Sequence, residues 1–369
     1  MKASEFETVI ASLNSGPEEV DDDIVESARR FLNPLASLKR YVIGRNAESE
    51  FLRQIVQLEA LIDDRAPSGS TWQSLPVVAM NEVPKDAWVL NTSTSIAPVA
   101  VNRALRTAGL TRSLNLADLI SLPEAPPTLV PWFVKEQRSE LHLHREHWVR
   151  MYEHLDDTES KQVLEDVLGF RLTANPKSME KYSVRLEEQY FEAFLELQDE
   201  SFVDAGGFDG DTTEQFCKRY PNYKQIHFFE PSIVNLARAR SRLKNIGRIH
   251  FYAIGLSDER ADLGFDALSG PASSVSPTGS TRIQVDRLDT LLDDPVSFIK
   301  MDLEGWELHA LKGAAETIRR YRPKLAIATY HQASHFREIL DFVMGLMPDY
   351  KVRLRHYTQG WSETVLFFY

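Results

Sequence analysis

Cysteine is nearly absent from this chain of 369 residues, in which Cys217 is the only one. No disulfide can therefore form within the chain, which suits a reducing compartment, and we expect Cys217 to be a small apolar filler on a helix. Apolar runs of about 18 residues are also absent, so no segment is expected to span a membrane. The first residues lack the charged and apolar regions of a signal peptide. We therefore expect a cytoplasmic protein.

Positive charge is in deficit, because 42 Lys and Arg residues face 54 Asp and Glu residues and give a formal net charge of −12. Proteins that bind along nucleic-acid phosphates need a basic face, so this balance argues against a nucleic-acid partner. Hydrophobic residues make up 43% and charged residues 26% of the chain, which is ordinary for a globular protein.

The order of predicted elements divides the chain into four parts. A chain of 369 residues is longer than one hydrophobic core usually serves. A proline-rich run at 123–131 is the best linker candidate. The predicted parts are an N-terminal helical segment at 1–37, a small Rossmann-like α/β accessory domain at 38–122, a linker and helical bridge at 123–199, and a larger α/β domain at 200–369.

The accessory domain has alternating strand and helix patterns. Strands are expected at 39–44, 76–79 and 88–91, and helices at 50–61 and 98–108. The domain resembles the N-terminal nucleotide-sugar-binding unit of some sugar-modifying enzymes, in which the first strand leads into a glycine fingerprint. Only Gly44 of that fingerprint is present, although Asp63 and Asp64 follow, so a full dinucleotide site is not expected. A structural or oligomerisation role and recognition of a sugar or phosphate stay open.

The most informative segment is 202–212, which is predicted to be a strand, a glycine-rich turn and a helix start. A turn without side chains lets the backbone approach a bulky ligand, and the helix start offers free N–H groups. Glu230 follows Asp204 by 26 positions, at the end of the next predicted strand. A carboxylate there can accept hydrogen bonds from a ribose diol, so the pattern predicts a nucleoside-cofactor site.

From residue 201 onward the alternation is regular and predicts an open, mostly parallel Rossmann-like sheet covered on both faces. The last two strands indicate an antiparallel terminal hairpin. Strands are expected near 201–205, 226–230, 249–254, 297–302, 324–330, 351–356 and 363–368, and helices near 211–219, 232–244, 306–320 and 335–346. Ligands of such sheets bind at the carboxyl ends of the strands, close to the change in strand order.

A series of motifs lies at these strand ends, in the order Val203–Gly206 with Gly210, Phe229–Pro231, Ala253–Asp258, Ile299–Glu307, Leu311–Ala314, Tyr330–His331, and Arg355–Tyr357 with Glu363–Thr364. With these motifs, the chain from about 200 to 369 resembles the FkbM-type methyltransferase family. The resemblance implies the class I methyltransferase fold, S-adenosylmethionine as cofactor, and transfer of its methyl group to oxygen, often a sugar hydroxyl.

The resemblance also implies a set of cofactor-binding residues. Glu230 is expected on the ribose hydroxyls, and Ala253 with Ile254 on the adenine edge, although both also suit a strand core. Ser274 is expected to contact the ligand or to form a polar turn, and Asp302 to lie close to the methyl group. The loop residues expected around the methionine end are Asp204, Gly206, Gly207, Phe208, Asp209, Gly210 and Thr212, of which Thr212 also suits a helix cap.

A sugar hydroxyl is a weak nucleophile that gains from a positioned base. Asp302 ends one predicted strand, Glu304 follows at a helix start, and His331 ends the next strand. We expect His331 or Asp302 to be the base and the other to orient the acceptor, with Glu304 beside them. Binding of a divalent metal by Asp302 and its neighbours stays open as an alternative. The ligand spacing in the sequence does not support it.

Four functions are weighed. The leading one is O-methylation of a sugar, glycan or nucleotide-sugar hydroxyl. The same chemistry on a polyketide or peptide natural product is the first alternative. A nicotinamide-dependent oxidoreductase and a non-catalytic nucleotide-binding protein are alternatives from other classes. The accessory domain and helical bridge permit a homodimer without requiring one.

Overall fold

A computed structural model describes residues 6–8, 10, 21–265 and 281–369. The chain divides into two compact units. The N-terminal unit comprises Met1–Tyr152, Gln162–Val184 and His356–Ser362, and the C-terminal unit comprises Glu153–Lys161, Arg185–Arg355 and Glu363–Tyr369. The predicted domain boundaries after residues 37, 122 and 199 stay a prediction. No helix in the described part of the chain is long and apolar enough to cross a bilayer.

The elements of the first half of the chain alternate as the sequence pattern predicts. They are α1 (Asp22–Leu32), β1 (Arg40–Ile43), α2 (Ala47–Ile55), β2 (Ala60–Ile62), β3 (Thr71–Trp72), β4 (Leu75–Val78), β5 (Trp88–Asn91), α3 (Pro98–Thr107), β6 (Ser113–Asn115), α4 (Leu116–Ile120), α5 (Trp132–His154) and α6 (Thr158–Thr173). In the described residues, the six strands form one sheet in the order β3-β4-β2-β1-β5-β6. Only the β3–β4 pair is antiparallel.

The helix predicted at 50–61 is wrong in its second half. Helix α2 ends at Ile55, and residues 60–62 form strand β2 between β1 and β4. All three residues of β2 are buried. A parallel strand that is covered on both faces has a continuous apolar run, which a short sequence window does not separate from a buried helix.

The carboxyl edge of this sheet is occupied by residues 358–362. The backbone N–H groups of Gln359 and Trp361 donate to the carbonyls of Ile96 and Thr94, just beyond β5. A Cβ atom on Gly360 would collide with the carbonyl oxygens of Thr94 and Ser95. Strands β1 and β5 are the neighbours where the strand order changes, and nucleotides bind doubly wound sheets at that point. Residues 358–362 of the chain itself lie at this position.

The C-terminal unit contains the larger sheet. Its elements are β7 (Ser201–Ala205), α7 (Asp211–Arg219), β8 (Gln225–Phe229), α8 (Ile233–Arg242), β9 (Ile249–Tyr252), β10 (Gly255–Leu256), β11 (Ala261–Phe265), β12 (Thr281–Asp286), α9 (Leu288–Leu291), β13 (Phe298–Met301), α10 (Glu307–Gly313), α11 (Ala315–Tyr321), β14 (Lys324–Ala328), α12 (His335–Leu346), β15 (Val352–His356) and β16 (Thr364–Phe368).

Seven of the described strands form a sheet in the order β15-β16-β14-β13-β7-β8-β9. The strands from β14 to β9 pair in parallel, and β16 is antiparallel to β14. This is the Rossmann-like, mostly parallel sheet that the sequence predicts, with its antiparallel end. Strands β7 and β13 lie where the order changes, so the residues after Ala205 and Met301 meet at one edge.

A second, three-stranded sheet in the order β10-β12-β11 is not predicted from the sequence. Its strands β11 and β12 flank residues 266–280, and Ser274 therefore lies outside the described residues. Cys217 is buried on α7 without a disulfide, as expected, and burial raises the pKa of its thiol to about 11.

Candidate active site

The glycine loop, residues 206–210, begins directly after β7. Gly206 has a φ of +75° and Gly210 a φ of +86°, values that favour glycine. A Cβ atom on Gly206 would collide with the carbonyl oxygen of Asp302, and one on Gly207 with the ring of Phe228. The backbone therefore passes against the neighbouring strand end, which only residues without a side chain allow.

A buried ion pair holds this loop from beneath. Lys300 Nζ lies 3.1 Å from Asp204 Oδ1 and donates to the carbonyl of Gly206 at 2.9 Å. Asp204 Oδ2 accepts from the hydroxyl of Thr213 at 2.6 Å. The side chain of Asp204 is fully buried and that of Lys300 is 3% exposed. This geometry favours a role for Asp204 in orienting the glycine loop.

Glu230 lies beyond the end of β8 and is only 5% exposed. Its Oε2 atom accepts from the backbone N–H of Phe208 at 3.0 Å, and its Oε1 atom from that of Ser232 at 2.8 Å. Burial outweighs these hydrogen bonds and raises the pKa of the carboxyl group to about 7. The carboxyl group is thus fixed in position beside the glycine loop.

A cavity of about 410 Å³ lies above these elements, within the usual range of small-molecule sites. Among the residues predicted from the sequence, those that line it are Gly206, Gly207, Phe208, Thr212, Glu230, Asp302 and Glu304. An apolar part of the wall contains Leu256, Ile283, Val285 and Trp306.

Other predicted residues do not line this cavity. Asp209 pairs with Arg242 at 2.6 Å instead. Ala253 and Ile254 lie just before the lining residues Gly255 and Leu256. The helix cap expected from Thr212 is not seen, because the N-cap residue of α7 is Gly210. Asp204, Gly210 and His331 are not among the residues that line the cavity.

His331, Asp302, Glu304 and Glu307 form the His331 cluster. His331 Nε2 lies 3.3 Å from Glu304 Oε2 and 3.5 Å from Asp302 Oδ1, and Nδ1 lies 2.9 Å from Glu307 Oε1. Although burial opposes it, the three carboxylates raise the pKa of His331 well above its usual value. The side chain of Glu307 is fully buried, and its Oε1 atom accepts from the backbone N–H of Leu303 at 2.7 Å.

The glutamate Glu304 has a φ of +53°, which is unusual for a residue with a side chain. Gly305 follows with a φ of +96°. Two consecutive left-handed residues reverse the chain after β13 and bring the Glu304 carboxylate back beside His331. Such local strain is found at functional sites more often than elsewhere.

Two tyrosines contact Asp302 from other parts of the unit. The hydroxyl of Tyr190 donates to Asp302 Oδ2 at 2.6 Å, and that of Tyr330 lies 3.5 Å from Oδ1. Gln189 donates to the Tyr190 hydroxyl at 2.9 Å and to Glu363 Oε2 at 2.8 Å. Burial, together with the charge of Asp302, raises the pKa of Tyr190 well above its usual value, so its hydroxyl stays a donor.

From the sequence, Tyr190 is expected either to help close the active site or only to pack, and Glu363 belongs to the last of the motifs. The sequence pattern gives no role to Lys300, Glu307 or Gln189. Lys300 and Glu307 are charged side chains in apolar surroundings, and a charged residue inside a predicted buried strand is a usable signal for Lys300. Tyr190 and Gln189 precede β7 by more than ten positions, and Glu363 follows by far more, so only the tertiary fold brings them to Asp302.

Residues 204–354 match the model of a protein family described as the methyltransferase FkbM domain. Among solved structures, the chain is similar to methyltransferase FkbM from Methylobacillus flagellatus KT, at 25% identity and a TM-score of 0.73, over 95% of this chain and 94% of that chain. An rRNA methylase from Streptococcus thermophilus also matches, at 19% identity and a TM-score of 0.33, over 48% of this chain and 90% of that chain. Fibrillarin from Aeropyrum pernix, in complex with S-adenosyl-L-methionine, matches at 12% identity and a TM-score of 0.33, over 50% of this chain and 71% of that chain.

The two matches with a TM-score of 0.33 are too distant to support an argument. No curated protein matches the chain significantly. The matched range 204–354 contains the glycine loop, Glu230 and the whole His331 cluster. The part of the chain that is similar to the methyltransferase FkbM domain is therefore the part that holds the candidate site.

Proposed function

We propose that the protein uses S-adenosylmethionine to methylate a hydroxyl group of a sugar, glycan or nucleotide-sugar acceptor. The observation that carries this proposal is that the glycine loop, Glu230 and Asp302 line one cavity. A nucleoside cofactor site and a candidate proton acceptor therefore share a single space, as an in-line methyl transfer requires.

The cofactor is proposed to bind with its ribose hydroxyls on Glu230. The backbone of Gly206 and Gly207 leaves room for the methionine part, because no side chain fills the space. For the adenine ring we propose Leu256 and Trp306, which line the cavity, in place of Ala253 and Ile254, which do not. Flat or branched apolar side chains suit the faces of a purine.

Asp302 is proposed as the base. In the transfer, a lone pair of the acceptor oxygen attacks the methyl carbon, the carbon–sulfur bond breaks, and S-adenosylhomocysteine leaves. The hydroxyl proton passes to Asp302, whose carboxylate the Tyr190 hydroxyl fixes at 2.6 Å. Between the two candidates from the sequence, Asp302 lines the cavity and His331 does not, so His331 is assigned the orienting role.

The choice of a carbohydrate acceptor rests on the family resemblance. A polyketide or peptide hydroxyl fits the same chemistry, and the FkbM match leaves no support for the oxidoreductase alternative. The acidic charge of the chain supports a small acceptor over a nucleic acid. A cytoplasmic location is proposed from the single cysteine.

The first test is calorimetric titration of the full-length protein with S-adenosylhomocysteine, with NADH in parallel. We expect micromolar binding of S-adenosylhomocysteine alone. Glu230→Ala should abolish this binding, whereas the control Glu316→Ala, a surface carboxylate paired with Arg319, should leave it unchanged. Binding of NADH alone, or unchanged affinity in Glu230→Ala, would contradict the cofactor assignment.

A panel of hydroxylated acceptors with labelled S-adenosylmethionine then tests turnover. His331→Ala should keep the affinity for S-adenosylhomocysteine and lose turnover. If cofactor binding collapses as well, His331 is a structural residue or contacts the cofactor.

A further inference from the structure

We propose that Asp302, Glu304 and His331 bind a divalent metal cation at the wall of the cavity. These three side chains alone form the proposed binding site. Its proposed role, to hold the acceptor hydroxyl beside the methyl donor, depends on the proposed function.

The three donor atoms already converge. In the described residues, Asp302, Glu304 and His331 are the group of metal-ligating side chains whose ligand atoms all lie within 4.8 Å of one another. His331 Nε2 is 3.3 Å from one carboxylate oxygen and 3.5 Å from the other. Bonds of about 2.0–2.2 Å from a shared cation place neighbouring ligand atoms roughly 3–3.5 Å apart, so little movement is needed.

Neither ring nitrogen of His331 has a hydrogen bond of acceptable geometry to a described residue, and Nε2 faces the two carboxylates of this group. The side chain is 7% exposed, so water cannot freely take the place of a partner. The three carboxylates favour the protonated imidazole when no cation is bound. A cation that takes the place of this proton finds a buried ring nitrogen already set between two carboxylate oxygens.

Glu307 supports the imidazole from the other side. Its Oε1 atom lies 2.9 Å from His331 Nδ1, and backbone N–H groups of Leu303 and Gly305 donate to the same oxygen. Histidines that bind metals usually have a carboxylate at the second ring nitrogen, which sets the orientation of the ring and leaves the first nitrogen for the ion.

The charges nearby also favour a cation. Asp302, Glu304 and Glu363 line the cavity, whereas the ammonium of Lys300 is paired with Asp204. A divalent cation held here would offset this negative charge and, by binding a hydroxyl oxygen of the acceptor, would lower the pKa of that hydroxyl. Asp302 Oδ1, the oxygen beside His331, would face the cation, and Oδ2 would remain to take the hydroxyl proton. Two carboxylates with one imidazole suit Mn²⁺ or Zn²⁺ better than Mg²⁺, which prefers oxygen ligands.

The test uses full-length protein treated with EDTA and then desalted. Mn²⁺ is titrated and the free ion is measured by its paramagnetic resonance signal, with Mg²⁺ and Zn²⁺ compared by calorimetry. We expect one Mn²⁺ per chain, and Asp302→Asn and Glu304→Gln should each weaken its binding at least roughly tenfold. The matched control is Asp258→Asn, because this carboxylate also lies 3.1 Å from a histidine, His309, but does not line the cavity.

S-adenosylhomocysteine titration of each variant shows that the site is folded and separates the two proposals. Protein that binds S-adenosylhomocysteine but none of the three cations overturns the metal site and leaves the methyltransferase proposal intact. Stoichiometric Mn²⁺ binding that survives both cluster substitutions also overturns it. Mn²⁺ binding that depends on Asp302 and Glu304 supports the site, even if S-adenosylhomocysteine does not bind and the proposed function fails.

Discussion

Cofactor affinity should fall as the pH is lowered from 8 to 6, because of Glu230. Burial raises the pKa of this carboxyl group from its ordinary 4.5 to about 7. If the ribose hydroxyls require the ionised carboxylate, the competent fraction falls from about nine tenths at pH 8 to about one tenth at pH 6, and the affinity for S-adenosylhomocysteine falls roughly tenfold.

The same shift predicts a cost in stability with a defined sign. A raised pKa means that the native protein holds the proton more tightly than the unfolded chain does. The contribution of Glu230 to the free energy of unfolding is therefore fully present below about pH 4.5 and is lost as the pH rises through about 7. The shift corresponds to about 3 kcal/mol, which bound cofactor should offset at neutral pH.

The assay is calorimetric titration with S-adenosylhomocysteine at steps between pH 6 and pH 8, on the wild type and on Glu230→Gln. The variant should bind more weakly by about 1.5–3 kcal/mol, since a hydrogen-bond acceptor has lost its charge, and its affinity should no longer change with pH. Glu363, whose pKa burial also raises to about 7, lines the same cavity and is unchanged in the variant. A wild-type affinity that is flat with pH, or a decline of equal size in both proteins, would refute the placement of the ribose on Glu230.

Three further substitutions test the supports of the site. Gly206→Ala should lower the free energy of unfolding by at least about 2 kcal/mol, because its Cβ atom would collide with the Asp302 carbonyl at a φ of +75°; an unchanged Tm would contradict this. Lys300→Ala should lower the free energy of unfolding, measured in urea, by about 3–5 kcal/mol, because it leaves the Asp204 charge buried and unpaired. Adding Asp204→Asn to this variant should recover part of the lost stability. If the effects of the two substitutions are fully additive, the two side chains are not coupled. Tyr190→Phe should lower kcat roughly tenfold or more and leave the affinity for S-adenosylhomocysteine unchanged, because only the 2.6 Å hydrogen bond to Asp302 is lost; weaker cofactor binding would place Tyr190 on the cofactor instead.

Much of the C-terminal unit follows from local sequence. Strand β7, the glycine loop and β8 each show a pattern within about ten residues: a buried apolar run, a turn that needs positive φ, and a carboxylate at a strand end. These patterns predict the central parallel strands and the shared edge at which Gly206 and Asp302 meet. The same local information fails for β2, whose three buried residues follow the end of helix α2 after only four intervening residues, and for the small sheet of β10, β11 and β12.

The sequence by itself determined the parallel sheet, the glycine loop, Glu230 and the three side chains Asp302, Glu304 and His331, because each is marked by the residues next to it. Only the tertiary structure decided how close they come: 3.3 and 3.5 Å from the His331 ring to two carboxylates, with Glu307 behind. It also brought Tyr190 to Asp302 and residues 358–362 to the carboxyl edge of the first sheet. Contacts between distant parts of the chain depend on packing and sheet order, which no short window of sequence contains.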